Sequence, residues 1–441
     1  MASGEDGDAI GVGRRPFWQL APEDAWKSNL YVVMFAVFVS FTGFTFVLPF
    51  LPLYITQLGI TNQGDAALWS GLLFGISPLL SGVLAPFWSI LAERRGRKVM
   101  LQRSLAAFVI LIGLMAFVTN VYQLLVLRLG IGLFGGVAAM SVALASTLAP
   151  RHRVGEAVGM IQATQLASGV AAPFIGGVVV DAFGLHSSFF LASALCAVAF
   201  LIITFSYKEE QERGTVAATG GGAVVVKPKQ RDSVRDYLHL PLFVGLLVAA
   251  FTIQFVDKSF GPLLPLYIAT LDAPAERIGT ITGIVMTLGA LTGSIAAVMV
   301  GRLSVKAEPR RLLFISLIGG ALLCLPIAFV THWWQLLVIR FFLGLFTGGT
   351  LTLAYAIGGR DLPAGAKMGA FGTLAGVGQI GGATAPFVTG ALSKWASLSA
   401  IFIVDAALYA LLIVWVWQMF DRGKATATAP ARTSALAPGD D

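Results

Sequence analysis

Arg103, Arg128, Lys258 and Arg340, with Asp257 directly before Lys258, lie inside runs built otherwise from Leu, Val, Ile, Phe, Ala and Gly. A guanidinium at the centre of a bilayer costs at least about 2.5–3.5 kcal/mol on insertion scales, so such residues persist only against a wet passage or a partner. The chemistry open to this set is exchange. A proton landing on Asp257 would neutralise it and loosen its pairing with Lys258, Arg340 or Arg128, and a substrate favouring the ionised form would drive the proton off again. Desolvation and neighbouring cations act on that proton in opposite senses, which suits a switch. Asp257 is therefore the best-placed acid for such exchange, with Lys258, Arg128 and Arg340 as the cations able to pair with it, and Asp181 and Asp405, nearer the outer ends of their runs, are weaker acids for the same task. The competing reading is static: Asp257 pairs permanently with a cation, and the two arginines bond to backbone or polar groups within their own bundles.

Positioning these residues requires helices that cross a bilayer. The 441-residue chain is 56% hydrophobic and 12% charged, and its mean hydropathy is +0.81, far too apolar for a soluble domain. Twelve apolar runs each reach the roughly 20 residues that span about 30 Å. They cover residues 29–54, 69–91, 99–118, 121–148, 157–180, 187–206, 240–269, 278–300, 312–330, 333–357, 368–392 and 397–419, and are numbered here as spans 1 to 12. In the seventh, IQFVDKSFGPLLPLY, Asp257 falls roughly 20 Å from the outer end at about 1.5 Å per residue.

Residues 1–28 mix both charge signs without a continuous apolar core, so they read as a retained polar segment and not as a cleaved signal. A charged, glycine-rich linker over 208–238 separates a first bundle of 29–207 from a second of 239–420, and a tail rich in Ala, Thr and Pro fills 421–441. Of the 30 lysines and arginines, 24 fall on the side that carries both termini and only Arg277 and Lys394 on the other. That asymmetry places both termini in the cytoplasm by the positive-inside rule, in an inner membrane. The formal charge of +7 is thus topological: the basic residues are shared among short loops with no folded domain to bind nucleic acid.

The stretch QLLVLRLGIGLFGG at 123–136 returns as QLLVIRFFLGLFTG at 335–348, pairing Arg128 with Arg340 and Gly132 with Gly344 at an offset of 212. GVAAPFIGG at 169–177 likewise returns as GATAPFVTG at 382–390, and LPLYI at 51–55 as LPLYI at 264–268. Two homologous six-helix halves follow, with a site near the midplane where they meet. In span 5, Gly169, Ala172, Pro173, Gly176 and Gly177 strip bulk from one face, and Pro173 forfeits a helix hydrogen bond and can bend the helix. The matching segment Gly382–Gly390 of span 11 is expected to face it across the pseudo-twofold axis.

These residues resemble the major facilitator superfamily, and within it the twelve-helix drug:proton antiporters. SILAERRGRKVML resembles the family's loop after helix 2, with Ser89 for the usual glycine and Glu93 for the usual aspartate. Arg128 and Gly132 resemble its helix-4 arginine motif; Gly169, Pro173, Gly176 and Gly177 resemble the antiporter motif, with Ala172 where glycine is usual. FLPLYITQLGIT, the W-S-G at 69–71 and PFWSILAERRGRK add a likeness to its multidrug exporters.

The resemblance implies an all-α membrane protein of two pseudo-symmetric six-helix bundles. It implies that Glu93, Arg94, Gly96, Arg97 and Lys98 form a conformational latch, acting in the outward-facing state against the end of helix 11. It also implies cavity walls from spans 1, 4, 7 and 10 with parts of 5 and 11. Phe41, Phe44, Phe46, Met140, Gln162, Gln165, Gln254 and Tyr355 there offer the aromatic, soft and amide surface that suits bulky amphipathic molecules. The expected function is proton-coupled export of such molecules by a monomer. The alternatives are a facilitator or importer in the same fold and a non-transporting receptor or scaffold. Span 1 carries no acid, which throws the proton role onto span 7.

No enzyme reading survives. Cys196 and Cys324 sit in apolar runs, which excludes a disulfide framework or thiolate metal cluster, and the four histidines stand near helix ends. No G-x-x-x-x-G-K-S/T loop exists to hold ATP. Neither cofactor nor metal is expected, and the energy must come from a gradient.

Overall fold

The computed structural model describes residues 25–150, 153–207, 241–361 and 367–427, which are helical almost throughout. The linker 208–238 and most of both terminal segments lie outside the described residues. Span 1 is Ala25–Val47, carried through a 3₁₀ turn at Leu48–Phe50 into Leu51–Gln57; spans 2 and 3 are Gln63–Arg95 and Arg97–Met115. A helix of 52 residues, Val154–Phe205, would be about 78 Å long if straight, more than twice a bilayer. It breaks at Gly184, whose φ of 79° a side chain would disfavour, and so supplies spans 5 and 6. Spans 8, 9, 11 and 12 are Ile278–Lys306, Pro309–Ile327, Lys367–Leu392 and Leu398–Ala427.

Three runs expected to be continuous are interrupted. Span 4 divides into Val121–Phe134 and Val137–Leu148, span 7 into Pro241–Ser259 and Leu264–Ile268, and span 10 into Trp333–Thr347 and Thr350–Asp361. Each interruption falls at glycine: Gly135-Gly136, Gly261 beside Pro262, and Gly348-Gly349. Hydropathy averaged over a run does not register such points, because glycine next to leucine leaves the mean apolar.

The duplication reappears in hydrogen bonding. Tyr54 of the first LPLYI donates to the Met115 carbonyl at the end of span 3, and Tyr267 of the second donates to the Ile327 carbonyl at the end of span 9. Gln123 Oε1 accepts from the Thr119 amide at 2.8 Å, and Gln335 Oε1 from the Thr331 amide at 3.0 Å. Buried carbonyls and amides at helix ends need partners, and both halves supply the same ones.

Spans 2 and 11, and spans 5 and 8, are the main contacts between the halves. Among the described residues the close backbone approaches between the halves run from the middle of the spans toward the end that carries the loop between spans 1 and 2. A Cβ on Gly71 would overlap the Pro386 carbonyl, and one on Gly177 the Gly279 carbonyl. Asp65 pairs with Lys394 at 3.0 Å. Asp181, at the end of span 5, accepts the Gly279 and Thr280 amides at 3.0 and 2.6 Å, capping span 8 from the opposite half. A carboxylate there satisfies orphan amides and complements the helix dipole. Toward the end that carries the termini the halves part: nothing stands within 4 Å of a Cβ built on Gly82, Gly159 or Gly376.

The expectation that Gly382–Gly390 would face the span 5 motif is corrected. Span 5 packs on span 8, where Gly283 meets Pro173, while Pro386 and Gly390 pack on Gly71 of span 2. The symmetry relates two separate seams instead of joining two motifs in one.

Candidate functional site

Span 7 carries its ion pair beside the face on which span 11 packs, with Lys258 Cγ next to Gly382 and Asp257 one residue away. Gly378, Gly381 and Gly382 of span 11 lie close to Gln254, Phe251 and Lys258, so backbone approaches that face. Asp257 and Lys258 pair at 2.7 Å and each side chain is 58% exposed, whereas Ser259 and Phe260 are buried. Half-exposed ions midway along a lipid-length helix are tolerated only against a wet cavity or the interior of a bundle. Arg340 of span 10 lays its guanidinium 3.5 Å from the centre of the Phe260 ring. It is within electrostatic reach of Asp257 and Asp405 but makes no ion pair within 4.0 Å among the described residues, and its Nε is buried without a hydrogen-bond partner.

Arg128 is placed differently from its repeat mate. It is 2% exposed, its Nε donates to the Leu73 carbonyl of span 2 at 2.8 Å, and Ser77 Oγ donates back to the Arg128 carbonyl at 2.6 Å. Gly132, one turn on, lets Ser77 and Leu80 come within contact. In this conformation Arg128 therefore faces span 2 inside its own half and not the passage.

Arg103, which the sequence marks only as a cation within span 3, serves the break in span 4. Helix Val121–Phe134 ends there with its last carbonyls unpaired, and Gly136 takes φ 119° before the helix restarts. Trp88 Nε1 donates to the Leu133 carbonyl at 2.9 Å. Arg103 donates to the carbonyls of Phe134 and Gly135 at 3.1 and 3.4 Å, with its guanidinium 3.5 Å from the centre of the Trp88 ring. Arg103→Ala takes the side-chain donor from the exposed Phe134 carbonyl, a bond worth about 0.5–1.5 kcal/mol, leaves the Gly135 carbonyl to Ser104 alone, and removes a cation–π contact of about 0.5–2 kcal/mol. A lowered thermal unfolding midpoint in detergent is expected, with Arg103→Lys between it and the native protein. An unchanged midpoint would contradict the capping role.

The expected wall residues divide. Phe46 is fully buried against Gly176, and Met140 is 3% exposed, so neither reaches open space here. Both are core residues in this conformation, a correction: for Phe46 the small Gly176 face draws span 1 onto span 5, and Met140 is buried within span 4's packing. Phe44 stacks on Phe108 of span 3 at 4.9 Å. Gln165 donates to the Ala138 carbonyl and Ser141 Oγ of span 4 at 3.3 and 3.2 Å, Gln162 is exposed, and Phe41, Gln254 and Tyr355 are half-buried.

The loop after span 2 binds its own half. Gly96, with φ 94°, separates spans 2 and 3; Arg97 donates to the Ala143 carbonyl of span 4 at 2.7 Å, and Lys98 to the Tyr207 carbonyl after span 6 at 2.8 Å. Arg94 and Arg95 are exposed, and the Glu93 side chain lies outside what is described. The second half repeats the arrangement: Arg310 pairs with Asp361 at the end of span 10 at 2.8 Å. In the antiporter motif, Gly176 and Gly177 are close-approach points, Pro173 is buried, and Gly169 borders open space. The Val170 carbonyl, next to Gly169, accepts from Thr287 of span 8 at 2.8 Å.

A sequence model of the Major Facilitator Superfamily matches residues 33–330 and 246–438. Multidrug resistance protein MdtG of Salmonella paratyphi A is 31% identical over 410 residues, which cover 91% of this chain and 98% of that protein. MdtG of Salmonella typhimurium matches to the same extent. Among solved structures, a bacterial homologue of the human lysosomal transporter Spinster superposes in its inward-facing unoccupied conformation with a TM-score of 0.74 at 14% identity. That superposition covers 94% of this chain and all of the other. The occupied inward-facing form gives 0.72 at 13% identity. The fold, the duplicated halves and this shared sequence make the chain an integral membrane protein of the Major Facilitator Superfamily of transporters.

Proposed function

We propose that the protein is a proton-coupled exporter of amphipathic small molecules that works by alternating access as a monomer in the cytoplasmic membrane. On this reading the termini are cytoplasmic, so the conformation described is closed to the outside and open inward. The positive-inside count supports that orientation, and the multidrug resistance relatives support export. The observation that carries the coupling is the Asp257–Lys258 pair, half-exposed in the middle of span 7. Substrate entering from the inside meets the ionised pair. A proton arriving from the outside neutralises Asp257, breaks the pair and weakens the hold on substrate, and its departure inward restores the start. The gradient then drives uphill export because one site is shared in turn by two ligands.

The test uses proteoliposomes with an imposed pH gradient and a panel of amphipathic cationic dyes. Asp257→Asn is expected to abolish gradient-driven dye accumulation while downhill flux and folding persist. Uphill transport at the native rate in that variant would remove the coupling role; dye flux insensitive to the gradient in the native protein would favour a facilitator, and no flux a non-transporting role.

A further inference from the structure

Asp405 is the buried acid that the coupling scheme leaves unused. It lies in span 12 at 2% exposure, with Oδ2 2.6 Å from Ser259 Oγ and Oδ1 buried without any hydrogen-bond partner. Ser259 Oγ also stands 2.9 Å from the Val256 carbonyl. The serine hydroxyl has a single proton for these two acceptors. If it goes to Asp405, the Val256 carbonyl keeps only its helix partner. If it goes to Val256, an oxygen–oxygen contact of 2.6 Å to Asp405 persists only with a proton on the carboxyl, donated to Ser259. The site is thus built to accept either protonation state by turning one hydroxyl.

Charges around it give that proton a consequence. Asp257 and Lys258 of span 7 already neutralise each other at 2.7 Å. Arg340 of span 10 is left without an ion pair, parked on Phe260, whose ring packs on Phe402 one turn before Asp405 at 4.8 Å. Cys324 of span 9 and Tyr409 of span 12 complete the surroundings within electrostatic reach. Ionised Asp405 is the one free countercharge for Arg340 among these groups; protonated Asp405 is none.

We propose that Asp405 is a second proton-binding site, exchanging its proton through Ser259 and deciding whether Arg340 is held toward span 12 or released toward Asp257. In the loading step a hydronium ion gives its proton to the carboxylate, leaving water and a neutral carboxyl; Arg340 then loses its free countercharge, and Asp257, which it would share with Lys258, is the carboxylate left to draw it. The inference deepens the exporter reading and rests on it for its role in transport, but proton binding itself is separable.

Infrared difference spectroscopy of the full-length protein in lipid nanodiscs, titrated with pH, tests it. A protonated-carboxyl band that titrates, disappears in Asp405→Asn, shifts in Ser259→Ala and survives in Asp257→Asn is the expected result. Ser259→Ala keeps the carboxyl and so guards against a misfolded Asp405→Asn. Survival of the band in Asp405→Asn, or an unshifted band in Ser259→Ala, would overturn the site. If the band titrates but native proteoliposomes show no gradient-driven dye transport, the proton site stands and the exporter reading fails. If transport is gradient-driven and no band depends on Asp405, the reverse holds.

Discussion

Gly71→Val is expected to slow transport at least about tenfold while the protein still folds and inserts. In the conformation described, a Cβ at Gly71 would overlap the Pro386 carbonyl and crowd Gly390. Both obstacles are main chain and cannot rotate away. Overpacking a buried contact costs typically about 1–3 kcal/mol and occasionally more, whereas moving a two-state equilibrium from one extreme to the other takes about 5.5 kcal/mol. Three added carbons, with the Cβ itself driven into backbone, sit at the upper part of that range. The penalty falls only on the state closed at this end, because separating spans 2 and 11 removes the clash. Dye export in proteoliposomes should fall at least about tenfold, the population shift that a penalty of this size produces. Transport at the native rate would mean that spans 2 and 11 need not close on each other.

Arg128→Met is expected to separate activity from stability. Removing the guanidinium forfeits its bond to the Leu73 carbonyl, worth about 1.5–3 kcal/mol as a charged hydrogen bond. It also removes a charge whose burial costs about 2.5–3.5 kcal/mol. The two nearly offset, and methionine refills much of the volume, so the unfolding midpoint should move by only a few degrees. Dye transport in proteoliposomes should nonetheless be lost if Arg128 serves the transport cycle. A variant that transports normally would leave the residue a structural tie between spans 2 and 4, as its present bonds already make it.

Much of this architecture could be read from composition and repetition. Twelve lipid-length runs require twelve crossings, and the recurrence of LPLYI anticipates two tyrosines tying matched helix ends. The Asp257–Lys258 pair was legible because adjacent opposite charges in an apolar run have few other partners. What escaped has a common cause: it depends on contacts between segments far apart in the chain. Arg103 has carbonyls to cap only because span 4 breaks at Gly135-Gly136, and Trp88 is beside it only because spans 2 and 3 turn at Gly96. Asp181 reads as an acid near a helix end, yet it caps a helix of the other half. Asp405 gains significance only from Ser259, 146 residues away. Phe46 and Phe44 could not be sorted from wall to core by type, since the decision rests on which face of span 1 meets Gly176 and Phe108.

Transport by alternating access requires the halves to part at the end where Asp65 meets Lys394. Joining Asp65→Cys to Lys394→Cys with a bifunctional thiol reagent holds them together and tests this most directly, since the backbones run close there, a Cβ on Gly64 lying 3.0 Å from Lys394 Cα, and Cys196 and Cys324 are buried away from reagent. Cross-linked protein in proteoliposomes should lose dye transport and recover it on cleavage of the link. Undiminished transport with the link intact would contradict the account.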